Sequence, residues 1–216
     1  MARAIESGEI AGLLEAPRSA SHLLVFAHGA GAGMRHAWME AAAASLGEHG
    51  IASLRYEFPY MQRKSRRPDP PPLLQATVRA AVKAAAAAAP DLPLLAGGKS
   101  MGGRMTSQAA ATEPLAGVKG LVFFGFPLHP AGKPSITRAA HLSRVTVPML
   151  FLQGTRDTLA DLELLRPVLA EIPLATLKVF EGADHMFHLL KSAGRSDADL
   201  LAEMSRTVAE WASGLQ

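Results

Sequence analysis

The chain has 216 residues, of which 49% are hydrophobic and 19% are charged, and its net charge is +3. This composition excludes an intrinsically disordered chain and predicts one folded domain, residues 1–216, with a sizeable core. The sequence contains no cysteine, which excludes disulfides, thiolate metal sites and a cysteine nucleophile.

Membrane and export signals are also missing from the sequence. No apolar run is long enough to cross a bilayer, and residues 1–9 lack the apolar segment of a signal peptide. We therefore expect a cytoplasmic protein without a membrane span.

Short apolar runs alternate with longer helical stretches, a pattern typical of α/β proteins with a mostly parallel sheet. The predicted strands cover residues 3–5, 10–14, 23–27, 51–58, 92–97, 121–126, 149–154 and 175–180. The predicted helices cover residues 38–49, 73–89, 104–111, 159–171 and 197–211, with Asp197 as the N-cap of the last one. A turn at residues 6–9 is expected to join the first two strands in a hairpin.

Residues 98–102 match the pattern G-x-S-x-G and lie between a predicted strand and a predicted helix. This pattern marks a sharp turn that holds a nucleophilic serine, here Ser100, out of the backbone. Glycines flank the serine because the turn leaves no space for side chains. The pattern alone is weak, so a base, a carboxylate and an oxyanion hole are required beside it.

Two glycine-rich segments partly match known phosphate-binding patterns, and each lacks a glycine that its pattern requires. Pro93 occupies the position of the first P-loop glycine, and a predicted strand replaces the loop that would surround phosphate. After the glycines at residues 29–33, Met34 or His36 stands where a dinucleotide-binding motif needs its third glycine. The sequence therefore does not favour nucleotide binding.

A serine nucleophile needs a base, because a hydroxyl is a poor nucleophile at neutral pH. Of the eight histidines, only His28 and His185 fall at the carboxyl ends of predicted strands, where functional groups of parallel sheets collect. His185 is the predicted base, and His28 is expected to orient its own loop. Asp157 is the predicted carboxylate partner of His185, with Asp161 and Asp184 as its rivals.

The predicted oxyanion hole consists of two backbone N–H groups. Met101, the residue after the serine, supplies one, and Ala30 or Gly31, in the loop after the strand at residues 23–27, supplies the other. The order serine, aspartate, histidine along the chain is that of α/β hydrolases. We predict no metal and no cofactor.

A proline-rich segment at residues 60–72 contains four basic residues, Arg63, Lys64, Arg66 and Arg67. Its first interpretation is a solvated surface loop. The second is a partial cover of the active site that attracts anionic substrates. Nucleic-acid binding is not predicted, because the basic charge is local rather than spread along a face.

With these residues in place, the chain resembles the α/β-hydrolase superfamily, and above all its small lidless members near the dienelactone hydrolases. The segments that carry the resemblance are residues 28–33, 58–61, 97–104, 154–157 and 182–185. They are most similar to a bacterial branch whose animal relatives include a testis-expressed protein and a subunit of a histone-acetyltransferase complex. The resemblance implies an α/β-hydrolase fold, helices on both faces of the sheet, no cap domain, and a triad of Ser100, Asp157 and His185.

The sequence also departs from the dienelactone hydrolases, which use a cysteine nucleophile that this chain lacks. Dienelactone is therefore not the expected substrate. We expect a serine hydrolase of small carboxylic esters or thioesters, with a small acyl compound as its partner. The sequence leaves two alternatives open. One is a catalytically weak or inactive binding or scaffold module with the hydrolase fold, and the other is a peptidase or acyltransferase with the same triad.

Overall fold

The computed structural model describes residues 2–8, 10–65 and 67–215. Among these residues, eight strands form one sheet. They are β1 (Arg3–Ser7), β2 (Ile10–Glu15), β3 (His22–Ala27), β4 (Ile51–Tyr56), β5 (Leu94–Lys99), β6 (Val118–Phe124), β7 (Met149–Gly154) and β8 (Ala175–Phe180). The helices are α1 (Ala37–Glu48), α2 (Pro59–Gln62), α3 (Pro71–Ala88), α4 (Met101–Thr112), α5 (Leu162–Ala170) and α6 (Asp197–Ser213).

The strands lie in the order β1-β2-β4-β3-β5-β6-β7-β8. β2 pairs antiparallel with both β1 and β4, and every pairing from β4 onward to β8 is parallel. This sheet confirms the predicted α/β architecture. Because the parallel strands all end at one edge, the loops that follow β3, β5, β7 and β8 lie close together there.

Two apolar layers cover the sheet, because alternate residues of each strand face opposite sides. On β3, Val25 packs in the layer with α3, α4 and α5, and the next residue, Phe26, packs in the layer with α1 and α6. On β6, Phe123 and Phe124 divide in the same way. Helices therefore lie on both faces, as predicted.

The connection from β6 to β7 is short and contains two single-turn 3₁₀ helices, Thr137–Ala139 and Leu142–Arg144. No cap domain is inserted there or elsewhere among the described residues. Within the same residues, no helix is long and apolar enough to span a bilayer. The cytoplasmic location stays a prediction.

The predicted starts of α3, α4 and α5, at residues 73, 104 and 159, were wrong, and so was the predicted N-cap of α6. Helix α4 begins at Met101, directly after the turn that carries Ser100. Helix α5 begins at Leu162 because the Asp161 side chain accepts the Glu163 N–H at 2.9 Å and caps the helix. Helix α3 begins at Pro71, since proline suits the first helical position. Helix α6 is capped by Ser196, not Asp197. Two other predicted features include residues outside the described part of the chain: Glu9 in the hairpin turn and Arg66 in the basic segment.

Candidate active site

Ser100 lies on the turn between β5 and α4, with backbone angles φ +50° and ψ −117°. A positive φ is unfavourable for a residue with a Cβ, so this turn is strained. The backbone N–H of Ser100 donates to the Phe124 carbonyl at 3.1 Å, which ties the turn to the end of β6.

Neighbouring glycines make room for this turn. A Cβ on Gly98 would lie 2.4 Å from the Ala27 carbonyl oxygen, and a Cβ on Gly102 would lie 2.6 Å from the carbonyl oxygens of Ala27 and His28. Both distances are far below van der Waals contact. The two glycines of the G-x-S-x-G pattern are therefore required by the close approach of β3 to the turn.

The loop after β8 places His185 against Ser100, at 2.9 Å between His185 Nε2 and Ser100 Oγ. On the other side of the ring, His185 Nδ1 lies 2.8 Å from Asp157 Oδ2. A carboxylate accepts only, so Nδ1 carries the proton and Nε2 is free to accept the Ser100 hydroxyl hydrogen. The structure thus brings together all three residues that the sequence singled out.

The Asp157 side chain is fully buried, and its carboxylate has two further donors. The Leu159 N–H donates to Oδ1 at 2.8 Å, and Gln153 Nε2 donates to Oδ2 at 2.5 Å. Gln153 is itself fully buried on β7. These bonds orient the carboxylate toward His185.

The two rival aspartates have local roles instead. Asp161 caps α5, as described above. Asp184 Oδ1 accepts the N–H groups of Met186 and His188, each at 2.8 Å, and so shapes the loop that carries His185. His188 itself is exposed and pairs with Asp197 at 2.7 Å.

The loop after β3 lies directly beside the serine, since a Cβ on Gly29 would be 3.7 Å from Ser100 Cβ. In this loop the Gly31 N–H donates to the Tyr60 hydroxyl at 3.0 Å. Ala30 N–H makes no hydrogen bond within the described part of the chain. Met101 is the first residue of α4, where backbone N–H groups have no partner inside the helix. Of the predicted donors, Ala30 and Met101 are therefore available to a ligand and Gly31 is engaged.

His28 is the first residue after β3, is fully buried, and makes two hydrogen bonds that hold the same loop. Its Nδ1–H donates to the Gly29 carbonyl at 2.7 Å, and its Nε2 accepts the Phe58 N–H at 3.2 Å. Burial lowers the pKa of His28 to about 4, so the ring is neutral at physiological pH. The Glu57 carboxylate, 3.4 Å from Nε2, therefore makes no ion pair with it. This histidine orients the loop, in line with its sequence-based interpretation.

A second serine–histidine pair provides a contrast. Ser107 Oγ lies 2.7 Å from His141 Nε2, but the Ser107 hydroxyl donates to the Arg104 carbonyl at 2.9 Å. A hydroxyl has one hydrogen, so in this arrangement His141 Nε2–H donates to Ser107 Oγ rather than accepting its proton. Burial, together with Arg144 and Arg104, lowers the pKa of His141 to about 4. Within the described part of the chain, no carboxylate bonds to His141 as Asp157 bonds to His185.

A cavity of about 370 Å³ opens beside Ser100 and His185. Glycines and alanines of the loop after β3 form one wall, and larger side chains form the rest, namely His36, Trp38, Met39, Lys99, Leu159 and Met186. The wall of the cavity is mainly apolar.

The basic segment does not line this cavity in the described part of the chain. Arg63 pairs with Asp69 at 2.5 Å on the surface, which agrees with a solvated loop. Arg66 lies outside the described residues. Tyr60, at the start of the segment, contacts the loop after β3 through its hydrogen bond to Gly31.

Sequence reasoning missed the supporting roles of Tyr60, Gln153 and Lys99. Gln153 carried a signal, as the one polar side chain in an otherwise apolar strand. Tyr60 and Lys99 carried none, because their partners are far away in sequence. Among the described residues, no group of three histidine, aspartate or glutamate side chains is placed to hold a metal ion.

A mostly parallel sheet that carries a serine on a strained turn, with a histidine and an aspartate hydrogen-bonded behind it, defines the α/β-hydrolase class. Residues 20–213 match the family described as the α/β-hydrolase domain, and the chain belongs to this family. The predicted superfamily is thereby confirmed, and the kinship with the testis-expressed animal protein stays a prediction.

Solved structures share this fold. A dienelactone hydrolase from Anabaena variabilis superposes with a TM-score of 0.75 at 22% identity, covering 100% of this chain and 97% of that one. An α/β serine hydrolase homologue from Coxiella burnetii gives 0.75 at 18% identity, covering 96% of both chains. An α/β serine hydrolase without a lid, from Xanthomonas campestris, gives 0.72 at 21% identity, covering 98% of this chain and 94% of that one.

Proposed function

We propose that this protein is a serine hydrolase that cleaves small carboxylic esters or thioesters through an acyl-enzyme. The observation that carries the proposal is the hydrogen-bonded series from Ser100 Oγ to His185 (2.9 Å) and from His185 to Asp157 (2.8 Å). Membership of a hydrolase family and the cavity beside Ser100 support it.

In the proposed first step, Ser100 Oγ attacks the carbonyl carbon of the substrate while its proton moves to His185 Nε2. Asp157 holds the ring and stabilises the imidazolium that forms. The carbonyl oxygen becomes an oxyanion and accepts hydrogen bonds from the N–H groups of Ala30 and Met101. The position of Met101 at the start of α4 adds the positive end of the helix dipole.

The tetrahedral intermediate then collapses, and the bond to the alcohol or thiol breaks. The leaving group takes the proton from His185, and the acyl group remains on Ser100. In the second half, water attacks the acyl-enzyme and gives its proton to His185. Release of the acid returns that proton to the Ser100 oxygen and restores the free enzyme.

The cavity indicates the size of the acyl group. A volume of about 370 Å³ with Trp38, Met39 and Leu159 in its wall accommodates a short acyl chain by burying its apolar surface. No cap closes over it among the described residues, so the leaving group extends toward solvent. Small esters and thioesters are therefore the proposed substrates.

The test is hydrolysis of p-nitrophenyl acetate and butyrate by the wild type and by Ser100→Ala. We expect at least about a thousandfold loss of kcat in the variant, because the nucleophile is gone. Ser107→Ala is the matched control, since Ser107 also contacts a histidine but lies outside the cavity. Equal turnover by the wild type and Ser100→Ala would overturn the proposal.

A further inference from the structure

Lys99 is a buried charge beneath the active site that the mechanism above does not use. It is the last residue of β5, immediately before Ser100, and is only 4% exposed. Its ammonium donates to the backbone carbonyl of His185 at 2.5 Å. Lys99 therefore connects the strand that carries the serine to the loop that carries the histidine.

Two aromatic rings and two carboxylates surround this ammonium. Lys99 Nζ lies 5.3 Å from the centroid of the Phe187 ring and 5.7 Å from that of Trp38, within the range of cation–π attraction. The carboxylates that act on its charge are Asp157 and Asp184. The ammonium thus has partners from α1 and from the loops after β7 and β8.

The ammonium also lies near the His185 ring and its aspartate. A Cβ on Gly125 would be 3.2 Å from Lys99 Nζ, 3.4 Å from His185 Nδ1 and 3.5 Å from Asp157 Oδ2. The three polar atoms therefore lie around the space that a side chain at position 125 would occupy and that Gly125 leaves empty. A cation and a carboxylate act on the same imidazole from this position.

A purely structural side chain here would not need a charge. Burying an ammonium costs free energy, and replacing buried charges with apolar groups of similar volume is often neutral or stabilising. Methionine would fill much the same space and still contact the two rings. Packing alone therefore does not explain why a charged residue occupies this position.

We propose that Lys99 is a positioning residue for Ser100, His185 and Asp157. Its ammonium fixes the main chain of His185 and, as a cation beside the ring, opposes protonation of the imidazole. This proposal rests on the proposed function, in which neutral His185 accepts the serine proton.

Lys99 carries its charge at neutral pH despite its burial. Burial lowers the pKa of Lys99 to about 8, although Asp157 and Asp184 act to raise it. The side chain is therefore an ammonium at neutral and acidic pH. The titratable groups around it are His185, Asp157 and Asp184, and His36 lines the same cavity.

The experiment compares the pH dependence of kcat/KM in wild type, Lys99→Met and Lys99→Gln, after thermal unfolding has shown that each is folded. In Lys99→Met we expect the acidic limb to move to higher pH by about one unit, since a nearby cation has been removed. Lys99→Gln keeps a donor for the His185 carbonyl but carries no charge. We therefore expect the same shift of the acidic limb as in Lys99→Met, with a kcat/KM above the limb that is closer to the wild-type value. Lys119→Met, a change on the exposed side of β6, is the control.

A second readout does not require activity. NMR titration of the His185 ring in a Ser100→Ala background should show protonation beginning at higher pH when Lys99 is also changed to methionine. An unshifted ring titration, or an acidic limb that stays in place while activity falls at every pH, would overturn the proposal. If the wild type hydrolyses no ester, the proposed function fails while the NMR titration still decides the role of Lys99.

Discussion

The Gly31 N–H donates to the Tyr60 hydroxyl at 3.0 Å, and this bond joins the loop after β3 to helix α2. It uses one of the two loop N–H groups that the sequence offered as oxyanion donors. The tyrosine ring is fully buried, so the loop is held by a rigid support. We infer that Tyr60 fixes the position of the Ala30 N–H without touching the substrate.

Tyr60→Phe is expected to lower kcat about tenfold with little change in KM, because a loosened loop positions its donor less well in the transition state. Steady-state hydrolysis of p-nitrophenyl butyrate measures this effect. Tyr56→Phe is the matched control, since the Tyr56 hydroxyl is also buried but makes no hydrogen bond to this loop within the described residues. Equal kcat values for the two variants would contradict the supporting role.

Asp157→Asn is expected to lower kcat by about a thousandfold or more, because an amide donor facing Nδ1 favours the wrong tautomer of His185. In Asp184→Asn the side-chain oxygen still accepts the Met186 and His188 N–H groups, so we expect less than about a tenfold loss. The ratio of the two kcat values is the measurement. Similar losses in both variants would contradict the role of Asp157 as the carboxylate that fixes the tautomer of His185.

Met186 separates the active-site cavity from a second apolar cavity of about 210 Å³, and Trp38 lines both as well. Met186→Ala should join the two spaces and admit a longer chain. We expect the ratio of kcat/KM for p-nitrophenyl octanoate to that for acetate to rise about tenfold, in keeping with the burial of about two further methylene groups. Leu190→Ala, an exposed change that lines neither cavity, should leave the ratio unchanged. A ratio that stays constant in Met186→Ala would contradict this interpretation.

Two buried histidines, His28 and His141, predict a loss of stability in acid. Burial is the main cause that lowers the pKa of each to about 4. An unfolded histidine titrates near about 6.5, so between these pH values the unfolded chain binds more protons than the folded protein. The stability contributed by each neutral ring is complete above about pH 6.5 and is lost as the pH falls toward 4.

His141→Gln removes one of these groups. Between about pH 7.5 and 4.5, its free energy of unfolding should therefore decline less than that of the wild type. Urea unfolding at the two pH values gives both declines. Parallel declines in the two proteins would show that His141 is not the group that titrates.

Much of the site could be predicted from the sequence because its residues follow strand ends, and apolar runs mark the strands. Ser100, His185 and Asp157 each stand just beyond such a run, and parallel pairing brings their loops to one edge. The helix starts were less predictable. Asp161 and Ser196 became N-caps through side-chain bonds that depend on local geometry as well as residue type.

The supporting residues could not be predicted because their roles depend on contacts distant in sequence. Tyr60 meets Gly31 across 29 positions, and Lys99 meets His185 across 86. No local pattern in the sequence marks Lys99 as a support for the active site. Its role as a buried cation follows from the convergence of helix α1 with the loops after β7 and β8.

Labelling with a fluorophosphonate tests the central claim most directly, because this reagent modifies serines only when a neighbouring base activates them. After labelling and digestion, mass spectrometry identifies the modified residue. We predict a single adduct on Ser100, its loss in Ser100→Ala, and strong reduction in His185→Ala. An adduct on Ser107 or another serine, or no adduct on the folded wild type, would contradict the assignment of Ser100 as the nucleophile.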